Sequence, residues 1–409
     1  MKMLFILAWR NLWRNSRRTW ITVFSVVFAV LLSILLESVD RGSQEMMIEN
    51  TVGFSTGYIQ IQDTLYRDEP NMDNALYFDK EMSESLLKNH PEINFIVPRI
   101  ESYSLAIGET KSRVCMVLGI ELNEENKFNN IENRLIEGKF FDNKDNQGVV
   151  IGSGLSKNFS LGIGDTIVLL GQGHFGQSAA GKFHISGIFH LPLPEQNESI
   201  IYMPLTEAQL FYGAYDLVSY VIVHPNNKNR HQSLAKKLKN DEVLSEVNVF
   251  TWEDLQPELL QTLQFDQAGT LIFLLILYIV VAFGIFGTIL TMTLEREKEF
   301  GVLISVGMHR VKLAFVIFTE TLVINFLGVI IGIITSLPII FYFYFYPISL
   351  GEDFGAIMEE YGMEAILKFS IDPQLFYQQA IIIFIISMII SIYPVSRILT
   401  LNVLSASRK

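Results

Sequence analysis

The chain of 409 residues is half hydrophobic and only 18% charged, and it carries a formal net charge of −12 at pH 7. So high a hydrophobic content argues against a purely soluble protein and indicates membrane-spanning segments, while the length predicts two or three domains. The single cysteine excludes an intrachain disulfide, and the acidic balance gives no indication of nucleic-acid binding.

The N-terminal segment, residues 1–19, is predicted to be an amphipathic helix in the membrane interface. Trp9 and Trp13 are at helical spacing, while Arg10 and Arg14 fall on another face. Tryptophans favour the headgroup level, and arginines favour anionic lipids. The segment is not a cleaved signal peptide, because the apolar run that follows is longer than a signal sequence and lacks a cleavage site.

Four apolar runs are long enough to cross a bilayer. They are residues 20–37, 267–294, 313–346 and 375–399. The third is longer than a crossing needs, so we expect it to tilt or to bend near Pro338.

The third run also contains small and polar residues that bear on helix contacts. Gly328 and Gly332 form a GxxxG motif, which permits close helix approach although it is common by chance. Glu320 is an ionisable residue inside apolar sequence, and such residues face protein or water rather than lipid. For Glu320 we favour a structural hydrogen bond over a role in transport.

Charge is distributed unevenly along the chain, and this predicts its orientation. Basic residues concentrate in 1–19, in 295–312 and in the tail 400–409, whereas 347–374 is acidic. By the positive-inside rule, both termini and the 295–312 loop are cytoplasmic. The loop 347–374 and the long segment 38–266 then lie on the opposite side.

Residues 38–266 form a predicted extracytoplasmic α+β domain. Strand and helix patterns at 55–107 and again at 216–251 give two β-α-β halves, which pair in a split, ferredoxin-like subdomain. The glycine-rich stretch 108–215 is predicted to be a β-rich subdomain inserted into the first. The stretch 252–266 is helical in pattern without a breaker, so we expect a stalk that continues the second span. The fold class is therefore a membrane α+β protein with four transmembrane helices.

One motif imitates a nucleotide site. Gly176–Lys182 matches a phosphate-binding loop except at the last position, where Phe183 replaces the magnesium-binding hydroxyl. The segment runs into a strand instead of a helix N-terminus, so a hairpin is the better interpretation. The histidines lack the spacing of a zinc site, and we find no catalytic triad or nucleophile elbow. We therefore expect no catalytic, metal or cofactor site in this chain.

The charged stretch 295–312 lies between two apolar runs and has to turn outside the membrane. Its centre is predicted to be a short helix with an apolar patch, bracketed by Gly301 and Gly307. The patch comprises Phe300, Val302, Leu303, Ile304 and Val306. A helix this short has no core of its own, so we expect a partner protein to cover the patch. The alternative is a connecting loop with an incidentally apolar middle.

Several segments carry a resemblance to a known family. They are AWRNLWRNSRRT before the first span, TGYIQIQD at Thr56–Asp63, VLGIE at Val117–Glu121, VVIGSGLSKNFSLGIGDTIVLL at Val149–Leu170, AGKFHISGIF at Ala180–Phe189 and EREKEFGVLISVGMHR at Glu295–Arg310. These resemble the FtsX/MacB-type permeases of ABC transporters over nearly the whole chain. Within that family, the extracytoplasmic domain is most similar to the LolC/LolE subunits of the lipoprotein-releasing system.

The resemblance implies a bacterial inner-membrane permease with four spans, a periplasmic domain and a cytoplasmic coupling helix. Such permeases act as dimers, either homodimers or heterodimers of the LolC/LolE kind, on two copies of a separate ATPase that binds ATP and magnesium. Closure of the ATPases is transmitted mechanically to the periplasmic domains, without a continuous channel. In the lipoprotein-releasing members, a lipoprotein leaves the outer leaflet and is handed to a periplasmic carrier.

The resemblance also implies roles for particular residues. The implied ATPase-coupling positions are Glu299, Phe300, Gly301, Val302, Leu303, Ile304, Gly307, Met308 and Arg310. The family places the substrate cavity between the first two spans. In this sequence the corresponding residues are Leu31, Leu35, Leu271, Phe273 and Leu274, which otherwise face lipid or a neighbouring helix.

Two other functions stay open. A MacB-like exporter permease moves peptides or small molecules, although MacB itself carries a fused ATPase that is absent from this sequence. An FtsX-like regulator transports nothing and acts on periplasmic enzymes, with a much smaller periplasmic domain. The neighbouring genes would discriminate, since they would encode a lipoprotein carrier, an adaptor or a hydrolase.

Overall fold

A computed structural model describes residues 9–10, 13–14, 16–108, 111–141, 148–191, 194–351 and 366–401. The predicted segments 1–19, 347–374 and 400–409 therefore lie partly outside the described residues. The chain forms two compact units. The helical unit comprises Met1–Glu45, Thr262–Ser349 and Ile366–Lys409, and the strand-rich unit comprises Met46–Gln261 and Leu350–Ala365.

In the described part of the chain, four helices are long and apolar enough to cross a membrane, as predicted. Span 1 is Ser16–Thr51, span 2 is Pro257–Glu295, span 3 is Arg310–Phe345, and span 4 is Pro373–Ile390 followed by Ile392–Leu399. Spans 1 and 2 extend well beyond the apolar runs, because hydropathy marks the membrane crossing and not the end of the helix.

The expectation that 252–266 is helical without a breaker is wrong at one position. A short helix, Trp252–Leu255, ends at Gln256, whose backbone (φ −122°, ψ 62°) is not helical. Span 2 then begins at Pro257. Proline disfavours the α-conformation in the preceding residue and fits the first helical turn, so it both ends the short helix and starts the long one.

Span 4, predicted from the apolar run 375–399, has a local irregularity in its helix. The interruption falls at Ser391. Pro394 lacks the N–H that would bond the carbonyl of Ile390, so one hydrogen bond of the helix cannot form there. Span 3, in contrast, continues as one helix through Pro338.

Spans 1 and 3 pack closely through the GxxxG motif. A Cβ added to Gly328 would lie 2.6 Å from the Cβ of Val26, and one added to Gly332 would lie 2.7 Å from the Cβ of Val30. Both distances are too short for real Cβ atoms, so only glycine permits this approach. The helix contact that the motif predicted is present.

The apolar core of the helical unit draws on all four spans. Its buried members are Val26, Ala29, Val30, Ile34, Ile285, Ile289, Val329, Ile340, Phe369, Leu375, Ala380 and Ile383. Outside this core, Ile348–Ser349 pairs with Ile366–Leu367 in a short antiparallel ladder. Arg41 of span 1 bonds Asp372 at 2.9 Å, and this ion pair fixes the start of span 4.

The strand-rich unit contains a π-helical turn, Val52–Thr56, which follows the end of the span 1 helix. Its strands are β1 (Ile59–Asp63), β2 (Leu76–Tyr77), β3 (Ile93–Ile107), β4 (Ser112–Ile120), β5 (Leu135–Gly138), β6 (Gly148–Gly152), β7 (Thr166–Gln172), β8 (Ser178–Phe189), β9 (Ile200–Pro204), β10 (Leu217–Val218), β11 (Tyr220–Pro225) and β12 (Val247–Thr251). Its α-helices are α1 (Lys80–Asn89), α2 (Leu122–Asn129), α3 (Ser153–Phe159), α4 (Pro194–Ser199), α5 (Leu205–Tyr212), α6 (His231–Leu238) and α7 (Trp252–Leu255).

Four strands form the predicted ferredoxin-like core. Their order is β12–β1–β11–β3, and neighbouring strands are antiparallel. Helix α1 connects β1 to β3, and α6 connects β11 to β12, so two β-α-β halves interleave as expected. In β1, Ile59 and Ile61 alternate with Gln60 and Gln62, and all four are buried, which shows that both faces of this strand are covered.

The long strand β3 joins the inserted strands to this core. Its first part pairs with β11, and Arg99–Ile107 pairs with β4. The sheet then continues as β4–β9–β6–β8–β5, with β7 joined to β3 and β8. The β-rich insertion is therefore an extension of the same sheet.

Candidate coupling site

The segment between spans 2 and 3 contains the predicted short helix, Glu297–Ser305, hereafter the loop helix. Arg296 (φ −93°, ψ 0°) separates it from span 2. Beyond its end, Gly307 has a φ of 105°, a left-handed conformation that favours glycine. His309 caps span 3, because its Nδ1 accepts a hydrogen bond from the N–H of Val311 at 3.4 Å.

The inner face of the loop helix packs against its own chain. Phe300 is buried, and Ile304 and Met308 are half-buried beside it. The buried partners of Phe300 come from the start of span 3 and the end of span 4, and they are Leu313, Ala314, Ile317, Ile398 and Leu401. The expectation that this helix has no core of its own is therefore wrong for this face. Burying a phenylalanine contributes about 2 kcal/mol, enough to hold the helix in place.

The outer face of the loop helix carries exposed apolar side chains. The exposed fractions are 60% for Val302, 38% for Leu303 and 83% for Val306. The apolar patch of the sequence is thus divided between the two faces. Clustered apolar groups left in solvent are typical of an interaction surface.

The remaining predicted coupling positions surround these faces. Gly301 is buried, whereas Glu299, Gly307 and Arg310 are exposed. Arg310 donates from Nη1 to the carbonyl oxygen of Leu399 at 3.3 Å. The nine positions therefore lie together, but only some of them are open to a partner.

Two ion pairs at the surface attach the loop helix to its surroundings. Glu299 Oε2 is 2.6 Å from Nη2 of Arg14, and Glu297 Oε1 is 3.2 Å from Nη2 of Arg397. Surface pairs of this kind contribute at most about 1 kcal/mol each. Their effect is to orient the helix relative to the N-terminal segment and the end of span 4.

A buried ion pair lies at the junction of span 2 and the loop helix. Arg296 Nη1 is 2.5 Å from Oε2 of Glu320, and Nη2 is 3.5 Å from Oε1. The two side chains are 6% and 2% exposed. The structural role predicted for Glu320 is therefore this pair. Sequence reasoning left Arg296 in an exposed loop, although an acid inside an apolar run already required a basic partner nearby.

The five residues implied for a substrate cavity have different environments. Leu271 and Phe273 are 64% and 66% exposed. Leu31 and Leu35 are half-buried, and Leu274 is buried by its own chain. Leu271 and Phe273 therefore lie on the surface of the single chain.

The segment Gly176–Lys182, which resembles a phosphate-binding loop, belongs to a β-hairpin, as expected. Strands β7 and β8 pair directly, with Lys182 opposite Val168. Backbone N–H groups used in a ladder are not available to cradle phosphate. Within the described ranges, no three His, Cys, Asp or Glu side chains are grouped closely enough to hold a metal ion.

Two family profiles match the chain. The profile of the MacB-like periplasmic core domain matches residues 19–241, and that of the FtsX-like permease C-terminal region matches residues 271–403. The chain is also similar to the lipoprotein-releasing system transmembrane protein LolE of Haemophilus influenzae, at 22% identity over 262 residues. That match covers 62% of each of the two chains.

Solved structures resemble part of the chain. The periplasmic region of MacB from Actinobacillus actinomycetemcomitans is 17% identical, with a TM-score of 0.36, covering 52% of this chain and 96% of that one. The extracellular domain of the noncanonic ABC-type transporter YknZ from Gram-positive bacteria is 14% identical, with a TM-score of 0.34, covering 47% and 99%. Because the MacB-like profile alone spans more than half of the residues, the chain belongs to the FtsX/MacB-type permease family of ABC transporters.

Proposed function

We propose that the chain is the permease subunit of an ABC transporter that extracts lipoproteins from the outer leaflet of the bacterial inner membrane and passes them to a periplasmic carrier. The single observation that supports the coupling role is the loop helix, which is anchored on one face and apolar and exposed on the other. The lipoprotein substrate is supported by the similarity to LolE.

In this proposal the outer face of the loop helix docks on a separate ATPase. Val302, Leu303 and Val306 supply apolar area, and the buried Phe300 keeps the helix from yielding when the ATPase moves. A rigid helix transmits displacement, whereas a loop would absorb it. In this proposal ATP and magnesium are bound by the separate ATPase. Two ATPases and two permeases, either identical or of the LolC/LolE kind, form the complex.

Charge asymmetry supports the proposed orientation. Basic residues near the N-terminus, in the loop helix region and at the C-terminal end of the chain favour a cytoplasmic location for these parts. The strand-rich unit then lies in the periplasm, where a carrier is available.

Extraction of a lipoprotein requires an apolar path for its acyl chains. Each buried methylene is worth about 0.8 kcal/mol, so the chains need a surface that replaces lipid throughout. Leu271 and Phe273 of span 2 are exposed in the single chain and offer such a surface. A second permease facing them would close the path.

The docking experiment compares a substitution on the loop helix with one in the strand-rich unit. Val306→Asp places a charge on the exposed outer face, and we expect it to release the co-purifying ATPase subunit. Asn240→Asp places the same charge at an exposed position outside the loop helix, and should retain the ATPase. Ile304→Asp is a poor test, because Ile304 packs into the chain's own core. An ATPase that remains bound to Val306→Asp at wild-type yield contradicts the docking assignment.

The substrate experiment uses a photocrosslinker at Leu271 or Leu35. The matched control is Ile385 of span 4, which is exposed like Leu271. A mature lipoprotein should crosslink at Leu271 and Leu35, and ATP should reduce the yield when the ATPase is present. Equal crosslinking at Ile385, or none to any lipoprotein, would favour an exporter of peptides or small molecules, or a regulator that transports nothing.

A further inference from the structure

Glu299 of the loop helix lies between two arginines. Its Oε2 is 2.6 Å from Nη2 of Arg14 and 3.6 Å from Nε of Arg296. The first distance is a charge-assisted hydrogen bond, and the second is too long to be one. The carboxylate is therefore bonded to Arg14 with a second donor within reach.

The second donor, Nε of Arg296, is buried and lacks a hydrogen-bond partner among the described residues. Buried N–H groups are nearly always paired, so an unpaired one next to a carboxylate calls for a physical explanation. Nη1 and Nη2 of the same guanidinium each bond Glu320, so the group is fixed in place, and Nε is its one nitrogen without a hydrogen-bond partner among the described residues.

Arg296 lies next to a small cavity between the spans. A cavity of about 20 Å³ beside Arg296 and Glu320 is lined by residues of all four spans, among them Thr22 of span 1, Ile289 of span 2 and Pro394 of span 4. Arg296 also connects span 2 to the loop helix. Arg296 is therefore close to residues of all four spans.

We propose that Glu299 transfers from Arg14 to Nε of Arg296 when an ATPase docks on the loop helix. The proposal rests on the docking function argued above and names the hydrogen bond that carries docking into the membrane. A shift of about 1 Å brings the carboxylate from 3.6 Å to hydrogen-bond distance of Nε. The buried pair of Arg296 and Glu320 then moves as one body with the loop helix.

Glu299 can bond either Arg14 or Nε of Arg296. These two interactions differ in strength, and the difference sets the direction of the transfer. The ion pair with Arg14 is exposed on both sides (58% and 45%), so it is weak and easily broken. The hydrogen bond with Arg296 would satisfy a buried donor and is therefore stronger. When docking moves the carboxylate of Glu299 by this small distance, the hydrogen bond to Arg296 is favoured over the ion pair with Arg14.

The test measures the affinity of the full-length chain in nanodiscs for the ATPase that co-purifies with the wild type. Arg14→Gln removes the competing partner of Glu299, so the ATPase should bind about twofold to fivefold more tightly. Glu299→Gln removes the carboxylate that accepts from Nε of Arg296 in the docked state, and the affinity should fall about tenfold. Opposite effects from the two partners of one ion pair are not expected of a merely structural salt bridge.

A second pair of variants excludes direct contact of Glu299 with the ATPase. Arg296→Lys keeps a charge for Glu320 but lacks Nε, so it should weaken docking as much as Glu299→Gln, and the double variant should show no further loss. Glu84→Gln, from an exposed ion pair of the strand-rich unit, should leave the affinity unchanged. Equal affinities of Arg14→Gln, Glu299→Gln and wild type, or additive losses in the double variant, overturn this inference alone. Absence of ATPase binding by the wild type overturns the proposed function instead.

Discussion

Arg99 donates hydrogen bonds from Nε and Nη2 to the two oxygens of Glu125, at 2.9 and 2.5 Å, and both side chains are almost completely buried. Burial alone would lower the pKa of Arg99, but the charge and hydrogen bonds of Glu125, together with Tyr220 and Tyr202, raise that pKa. Nη1 of the same guanidinium donates to the carbonyl oxygen of Ser55 at 2.7 Å. Since Ser55 belongs to the π-helical turn before β1, the pair fixes that turn against strand β3.

Removing one member of this pair should destabilise the strand-rich unit strongly. Arg99→Met leaves a buried carboxylate without its counter-charge, which costs about 3–5 kcal/mol. The double variant Arg99→Met, Glu125→Leu removes both charges and should recover most of that loss. Unfolding midpoints of the purified full-length chain measure both effects. A double variant as unstable as Arg99→Met would show that packing, and not charge, holds these residues.

Local patterns account for what the sequence predicted correctly. Hydropathy identifies four spans because a crossing needs a continuous apolar run, and the order of strands and helices at 55–107 and 216–251 identifies the split β-α-β core. The loop helix is marked by its position between two spans. Each of these signals is contained within one segment of the chain.

The missed features depend on contacts between segments. Arg99 and Glu125 are 26 residues apart, and Arg296 and Glu320 are 24 apart, so no local period connects them. The core around Phe300 includes Ile398, from the other end of the helical unit. Such partners follow only once the spans are packed. The break at Gln256, in contrast, was available from Pro257 in the sequence.

Alanine at the GxxxG glycines should destabilise the helical unit. A Cβ at Gly328 would meet the Cβ of Val26 at 2.6 Å, so Gly328→Ala forces spans 1 and 3 apart and costs about 1–3 kcal/mol. Val26→Ala in the same chain should recover part of the loss, because it removes the opposing side chain. Gly284→Ala in span 2 is the control, since a Cβ there meets no described atom within 4 Å. Thermal unfolding in detergent measures the stability of each variant. Equal losses of stability in Gly284→Ala and Gly328→Ala would contradict the prediction.

Cysteine labelling should establish the orientation of the two units. Single cysteines at Asn240 in the strand-rich unit and at Ser305 in the loop helix are both at exposed positions. The native Cys115 is buried, so it should not react in the folded chain. In cells whose outer membrane is permeable to a charged maleimide, Asn240→Cys should be labelled, and Ser305→Cys only after the inner membrane is opened. Labelling of Ser305→Cys before that step would exclude the proposed topology.

The ion pair between His231 and Glu253 should make the stability of the strand-rich unit depend on pH. His231 Nε2 is 2.8 Å from Oε1 of Glu253, and its Nδ1 is 2.7 Å from the carbonyl oxygen of Lys228. Because both ring nitrogens face acceptors, the imidazolium form fits best. Burial would lower the pKa of His231, but the hydrogen bonds to Glu253 and Lys228 outweigh it and raise that pKa above 6.5. Burial would raise the pKa of Glu253, but hydrogen bonds from His231 and Gln232 lower it to about 2.

The direction of the pH dependence of stability follows from these two pKa shifts. A raised histidine pKa gives stability that is complete below pH 6.5 and is lost as the pH rises through the raised value. A lowered glutamate pKa gives stability that is complete above pH 4.5 and is lost as the pH falls toward 2. The pair therefore stabilises most between about pH 4.5 and 6.5.

Unfolding midpoints from pH 5.5 to 8.5 should fall for the wild type and fall less for His231→Gln. Burial lowers the pKa of His224, so its own contribution to stability rises with pH and does not produce this fall. A slope as steep in His231→Gln as in the wild type would assign the pH dependence to another group.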